Sequence, residues 1–339
     1  MKIKVIVLCI FLSNLSLSKA QDYQAELTEY DHPNFRGVWN FSTTAPFERP
    51  ERYSEREFFT EDEIIEQVQR RETSAIARAE QEAKVADSVL TMMTATSTGS
   101  VNSFWMERNG LRENPRTSII IHPKNGRLPD VKDGVLVQRS DPNGVREIPG
   151  ERPVRYTHGG IARNGPEDRG LSERCLVFNS GPPLFSGPYN NNIQIFQNSD
   201  HLVILAEMGF DARIISLDGR PHISADITMW SGDSRGYFNG STLVVETKNF
   251  SSEIASLGLR DRAYGSGKNR LLIERFTLTG SNTLDYEFTI EDPSTFTDKI
   301  VASLPMTKTD SKIYEYACHA GNYAIGNILK GARAEDGTL

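Results

Sequence analysis

The sequence predicts a mainly β protein, an antiparallel meander that closes as a barrel or folds as a sandwich, with one N-terminal and one C-terminal helix. Three observations predict it. Beyond Tyr189, short runs of alternating apolar and polar residues follow one another at close spacing, divided by turn residues and by no helical pattern. Asn239-Gly240 is the strongest of those turns, a dipeptide that tolerates positive φ at both positions of a hairpin loop. No repeat of fixed period runs through the chain, which disfavours a propeller.

The chain opens on an export pattern. Lys2 and Lys4 precede an apolar run at 5–12, and Ser18-Lys19-Ala20 places small residues where a signal peptidase reads them, so cleavage is expected after Ala20. The run is about half the ~20 residues that cross a bilayer. Cys9 follows Leu8, not the small residue of a lipobox. The expected organisation is a signal peptide at 1–20, an arm, helix and loop at 21–115, and a β-rich main domain at 116–339.

Within the arm, Gly37-Val38-Trp39-Asn40-Phe41 reads as a first strand. Thr60-Glu61-Asp62-Glu63 is a capping box, and Ile64, Ile65, Val68, Ile76 and Ala79 continue from it at helical spacing to about Val89. Residues 91–115 read as a polar loop around an aromatic plug, Phe104-Trp105-Met106. The stretch 120–188 is dense in Gly and Pro and offers strands only at 118–122 and 176–178; such length without elements suits a functional or wrapping segment. Strands then follow at 193–197, 202–207, 212–216, 223–230, 236–238, 242–248, 271–278, 284–291, 299–304 and 312–317. Further turns stand at Asp218-Gly219 and Gly280-Ser281. A last helix spans 323–334 behind Asn322 as its cap.

Composition narrows the partners. Loss of residues 1–20 removes three lysines and no acids, taking the net charge from −7 to −10. That balance argues against nucleic acid or anionic lipid as a partner. With 38% hydrophobic residues the chain has material for a proper core, and no later segment is long and apolar enough to span a membrane. Two cysteines remain, Cys175 and Cys318, and an even pair in an oxidising compartment suggests a disulfide. The alternatives are two buried thiols, or Cys318 with His319 as a nucleophile or ligand pair.

No cofactor is expected. Gly265-Ser266-Gly267-Lys268 is too short for a phosphate loop, and neither a G-x-S-x-G elbow nor a Cys-x-x-Cys is present. His122, His158, His201, His222 and His319 lack the paired spacing of a zinc site, so a single metal ion held by distant histidines is the one metal alternative.

Strand period supplies the functional lead. Glu274 shares a face with Leu272, Phe276 and Leu278, so its carboxylate points into the core. It is there either as an acid or base with a shifted pKa or as the partner of Arg235 or Arg213 across the sheet. Glu315 and Tyr316 fall on opposite faces of their run, so only one of them lines an interior. Polar clusters at strand ends gather Arg174, Tyr189, Asn191, His222, Asp233 and Arg235, each ordinary turn chemistry alone, together a set that converges if the strands form one barrel mouth.

Taken in order, Glu173-Arg174-Cys175, Tyr189-Asn190-Asn191, Asp211-Ala212-Arg213-Ile214-Ile215, Leu217-Asp218-Gly219-Arg220-Pro221-His222, Gly232-Asp233-Ser234-Arg235-Gly236, Glu274-Arg275-Phe276 and Glu315-Tyr316-Ala317-Cys318-His319 resemble a large family of secreted bacterial proteins. The resemblance covers roughly residues 35–335. It implies bacterial export to the periplasm or beyond and supplies no catalytic residues. The chain departs from the family pattern at His122, where the family carries Asp, and at Ala320, where Glu follows the Cys-His pair. Gly37-x-Trp39 ahead of a meander is also similar to the opening of lipocalin-like, calycin-like barrels.

The expectation is an exported protein that binds a small, largely apolar organic molecule and isomerises, hydrates or eliminates it by cofactor-free acid–base chemistry. Glu274 or Glu315 is the candidate acid or base, and His222 or His319 the proton partner. Arg235 with Asn191 are the carbonyl donors, and Asp233, Tyr189 and Arg174 bind substrate. The rivals are a non-catalytic carrier of the same fold, and a glycan- or envelope-binding protein using the loop around Trp105.

Overall fold

The computed structural model describes residues 23–86, 114–140, 152–209 and 211–337. The export pattern and the aromatic loop lie outside those residues. Thirteen strands are present among them: β1 (Gly37–Asn40), β2 (Ile120–His122), β3 (Val137–Arg139), β4 (Asn192–Gln197), β5 (His201–Ala206), β6 (Ala212–Ser216), β7 (Asp233–Asn239), β8 (Thr242–Lys248), β9 (Leu257–Gly258), β10 (Arg262–Tyr264), β11 (Leu271–Gly280), β12 (Thr283–Glu291) and β13 (Ile300–Thr309). Two α-helices accompany them, α1 (Glu61–Ala86) and α2 (Ala324–Glu335).

Nine strands close into a barrel in the order β1-β4-β5-β6-β7-β8-β11-β12-β13, with β13 pairing back onto β1. Closure with an odd number of strands cannot be antiparallel throughout, because directions must match after one circuit. The mismatch is absorbed between β6 and β7, which run parallel with Ile215 opposite Ser234. A parallel neighbour needs a crossover, and residues 217–232 make it. This is why the strand expected at 223–230 is absent: the segment carries only a bridge from Met229 to Phe250.

Period-2 patterning fills the barrel. Trp39, Ile193, Leu202, Leu243, Phe276, Tyr286 and Phe288 are fully buried, and a barrel of about eight strands is just wide enough for side chains to pack its interior. The barrel alternative of the sequence reading is therefore the one formed.

Other expectations need correction. β13 runs on through Pro305 to Thr309, whereas the sequence reading ended it at Leu304. Pro305 is accommodated because it sits between the positions where β13 pairs β2 (Val301, Ala302) and those where it pairs β1 (Thr307–Thr309), so no ladder bond on that side is lost. The run at 312–317 forms no ladder; its Tyr314 N–H donates to the Glu207 carboxylate at 3.2 Å. No strand forms at 176–178. The β7–β8 hairpin turns on Gly240-Ser241 rather than Asn239-Gly240: Asn239 pairs Thr242 within the ladder, and only Gly240 takes a left-handed φ, of 59°. A small sheet of β3, β10 and β9, unforeseen because each strand has two or three residues, stands beside the barrel.

The capping box holds as read: Thr60 N–H donates to Glu63 at 2.8 Å and Glu63 N–H to the Thr60 hydroxyl at 3.3 Å. At the other end, the Asn322 side chain accepts the Ala324 N–H at 3.2 Å.

Candidate functional site

Glu274 lies where the strand period put it, fully buried inside the barrel. It is also fully engaged. Its Oε2 pairs with the Arg213 guanidinium, and its Oε1 accepts the Tyr286 hydroxyl at 2.7 Å. Arg213 further donates to Ser234 Oγ at 2.9 Å and Thr247 Oγ1 at 2.7 Å. Tyr286 in turn accepts the Leu184 N–H at 3.1 Å, which ties the irregular middle segment to the barrel core. Burial, then the neighbouring Glu274 charge, hold the Tyr286 phenol well above its ordinary range, so it stays a donor. The pocket reaching Arg213 measures only about 50 Å³, room for a few water molecules at most.

The second polar group is on the other side of the wall. His222 Nδ1 lies 2.7 Å from Asp233 Oδ2, and Nε2 lies 3.3 Å from Glu246 Oε1. Arg235 Nη1 donates to Asp233 Oδ1 at 2.7 Å and its Nε to Pro221 O at 3.1 Å. Lys248, then His222, hold the Glu246 carboxyl below its usual range. On β7, Ser234 faces in and Asp233 and Arg235 face out; on β8, Thr247 faces in and Glu246 out. The same two-residue period that buries Glu274 therefore puts Arg235 on the outer surface, where His222 meets Asp233 from the crossover. Their convergence at one barrel mouth is not observed, because the crossover brings His222 alongside the wall instead of over its rim.

The remaining candidates disperse. Asn191 is buried and clamps Gly187, accepting its N–H at 2.6 Å and donating to its carbonyl at 3.0 Å, which occupies it as a loop clasp. Glu315 and His319 are exposed on the C-terminal segment. Arg174 is half-buried, beside the Cys175–Cys318 disulfide, which is formed. Among the described residues, no group of three or more His, Cys, Asp and Glu is arranged to hold a metal ion, and no helix is long and apolar enough to cross a membrane.

Tyr189 is the exception, for it lines a large cleft, about 1070 Å³ in volume. No barrel strand contributes to its lining. One wall comes from the irregular segment, with Phe178 and Phe185; a second from the stretch 254–261, with Leu257; a third from the C-terminal segment, with Tyr316, Ile325 and Ile328. Phe185 meets Phe47 and Phe288 edge-on at 5.5 Å each, and Phe178 meets Tyr316 at 5.3 Å. The disulfide fastens the third wall to the first. Arg270, one residue before β11, also lines the cleft and is buried beneath it.

Arg270 escaped the sequence reading, which weighed polar residues by the face they take within a strand or turn. An arginine just outside a strand carries no such signal. The composition of the irregular segment was the one available hint.

No protein-family model matches the chain at a significant level, and neither a curated protein nor a solved structure does.

Proposed function

We propose that this chain is an exported binding protein whose end-of-barrel cleft takes one small, largely apolar organic molecule without transforming it. One observation carries the reading. The roomy cleft is walled mainly by aromatic and aliphatic side chains, whereas the carboxylate best suited to acid–base work is paired on both oxygens beside a pocket of about 50 Å³. Binding sites of this kind are concave, apolar and furnished with few polar groups. The disulfide and the N-terminal pattern support a periplasmic or extracellular setting, in keeping with the resemblance to secreted bacterial proteins.

The test is to incubate the purified chain with an organic extract of its producing cells and follow both fractions by mass spectrometry. The expected result is an apolar compound retained at about one per chain, with no compound consumed. Consumption of any extract component together with appearance of a new product would return the reading to catalysis.

A further inference from the structure

Two buried arginines line the cleft, Arg155 and Arg270, and an apolar carrier does not need the second. Arg270 is 6% exposed, and its guanidinium carbon lies 3.7 Å from the centre of the Phe250 ring. Its only hydrogen bonds go to backbone carbonyls: Nη1 to Ala255 O at 3.4 Å and Ser256 O at 3.2 Å, Nη2 to Pro182 O at 3.4 Å. Its Nε is buried with no partner. Glu274 and Asp292 act on it only through space, and both are engaged elsewhere. Glu274 is held by Arg213 and Tyr286, and Asp292 accepts from Ser294 and from Thr295 at 2.8 Å.

We infer that the cleft binds a monocarboxylate with an apolar tail, its carboxylate received by Arg270 and its tail laid along the aromatic walls; this rests on the binding reading above. Two physical points converge on that class, and a third selects the arginine. A buried cation stacked on a ring and hydrogen-bonded only to neutral carbonyls has its charge balanced only at a distance, by Asp292 and Glu274, and its Nε is left unsatisfied, an arrangement that is costly to bury. Arginine's planar fork matches a carboxylate bidentately, and charge-assisted bonds close to about 2.7–2.9 Å, so the existing bonds at 3.2–3.4 Å are weak competitors. The other buried guanidinium of the lining, Arg155, spends its Nε on the Ser252 carbonyl at 3.0 Å, whereas the Nε of Arg270 has no partner.

The rim does not oppose this. Glu173 is neutralised by Arg169 at 2.9 Å, and the exposed Asp261 stands next to the exposed Arg260. Burial, with a smaller push from Arg213, brings Arg270 down to about 9 against the opposing pull of Glu274 and Asp292, and a bound carboxylate would act against that shift.

The probes are straight-chain carboxylates of six to fourteen carbons, the alcohols of the same lengths, and the corresponding alkylammonium ions, titrated calorimetrically into the full chain. At the best tail length the carboxylate should bind at least about tenfold more tightly than the alcohol, with the ammonium weakest. Arg270→Met should erase that preference, the acid then binding no more tightly than the alcohol, and Arg270→Lys, which keeps the charge and loses the fork, should retain part of it. Equal affinity for acid and alcohol in the wild type, or a preference undiminished in Arg270→Met, overturns the carboxylate inference and leaves the apolar cleft standing. If Arg270→Met does not fold, the wild-type comparison and Arg270→Lys decide between the same outcomes. Binding of neither acid nor alcohol at any length overturns both readings.

Discussion

Glu274 shows how a buried acid is made tolerable. Taking its charge and that of Arg213 out of water costs several kcal/mol per ion, and good geometry with further hydrogen bonds is what repays it. Here Ser234, Thr247 and Tyr286 supply those bonds. Removing one partner strands the other, so Glu274→Leu and Arg213→Met should each destabilise the fold by about 3–5 kcal/mol in urea unfolding. The double variant, with neither charge, should lie closer to wild type than either single one. Additive losses would show that the pair is not coupled as the geometry requires. Tyr286→Phe removes one hydrogen bond from Glu274 and leaves the Leu184 N–H unpaired, at a cost of about 1–3 kcal/mol. That cost has a pH signature. The unfolded chain loses the tyrosine proton near pH 10, while the folded chain keeps it because burial and Glu274 raise its pKa. The stability it contributes is therefore complete below pH 10 and declines as pH rises beyond it. The gap between wild type and Tyr286→Phe should be constant from pH 7 to 9 and narrow above 10. At this scale the sequence was half legible. Alternation gave the burial of Glu274 outright and allowed Arg213 as a partner, but His222 sits in a crossover, where no period tells which side of the wall a side chain meets.

At the scale of elements, β4, β5, β11 and β12 were read to within two residues and β6 and β8 at their full bounds, while β7 was begun three residues late and β13 ended five residues early. What resisted reading was backbone whose hydrogen bonds go to side chains and distant loops. Asn191 clasps Gly187, Asn179 donates to Phe185 O at 2.9 Å, and Ser186 Oγ accepts from Thr43 N–H at 2.9 Å. Such bonds follow no period, and they are what shapes the cleft. The C-terminal wall is tied by the disulfide, by the Asn322 contact to Glu173 O at 3.4 Å, and by the α2 anchor, in which Arg163 meets Glu335 at 2.8 Å and Arg333 donates to Arg163 O at 3.3 Å and to Asn164 O. Cys175 and Cys318 are separated by 143 positions, and cross-links of that span contribute about 4–5 kcal/mol in the chain-entropy account. The paired variant Cys175→Ser/Cys318→Ser should melt several degrees lower and bind the best carboxylate probe at least about tenfold more weakly, because the wall bearing Ile325 and Ile328 loses its covalent tie. An affinity unchanged in a less stable protein would mean that α2 is held by its Arg163 and Arg333 contacts alone.

At the scale of the whole molecule, closure is what the chain must achieve. The last rung joins Val38 to Thr309 and Trp39 to Lys308, so residues near the two ends meet before the barrel is complete, and the loop entropy of that meeting comes ahead of its reward. Without β1, the edges of β4 and β13 would be left unpaired and the interior would lose Phe35, Trp39 and Phe41, all fully buried. The excursion through α1 is a different case. It departs after Phe59, whose N–H donates to Pro115 O at 2.9 Å, while Phe58 bridges Arg116, so the chain leaves and returns at neighbouring points. The helix's apolar contacts are local: Ile64 and Val68 pack on Phe59 and Tyr53, whereas Ile76 is 61% exposed. Two deletions should therefore behave in opposite ways. Replacing residues 61–113 by a short Gly-Ser linker should leave one cooperative unfolding transition in calorimetry, since insertions between adjacent surface points cost little to add or remove. Removing residues 23–41 should abolish that transition and yield aggregates, since open edges carry unpaired donors and acceptors. Loss of cooperativity in the linker variant would place part of 61–113 within the barrel's packing. A folded, monomeric variant lacking 23–41 would show that the β1 stave completes the barrel without being needed to form it.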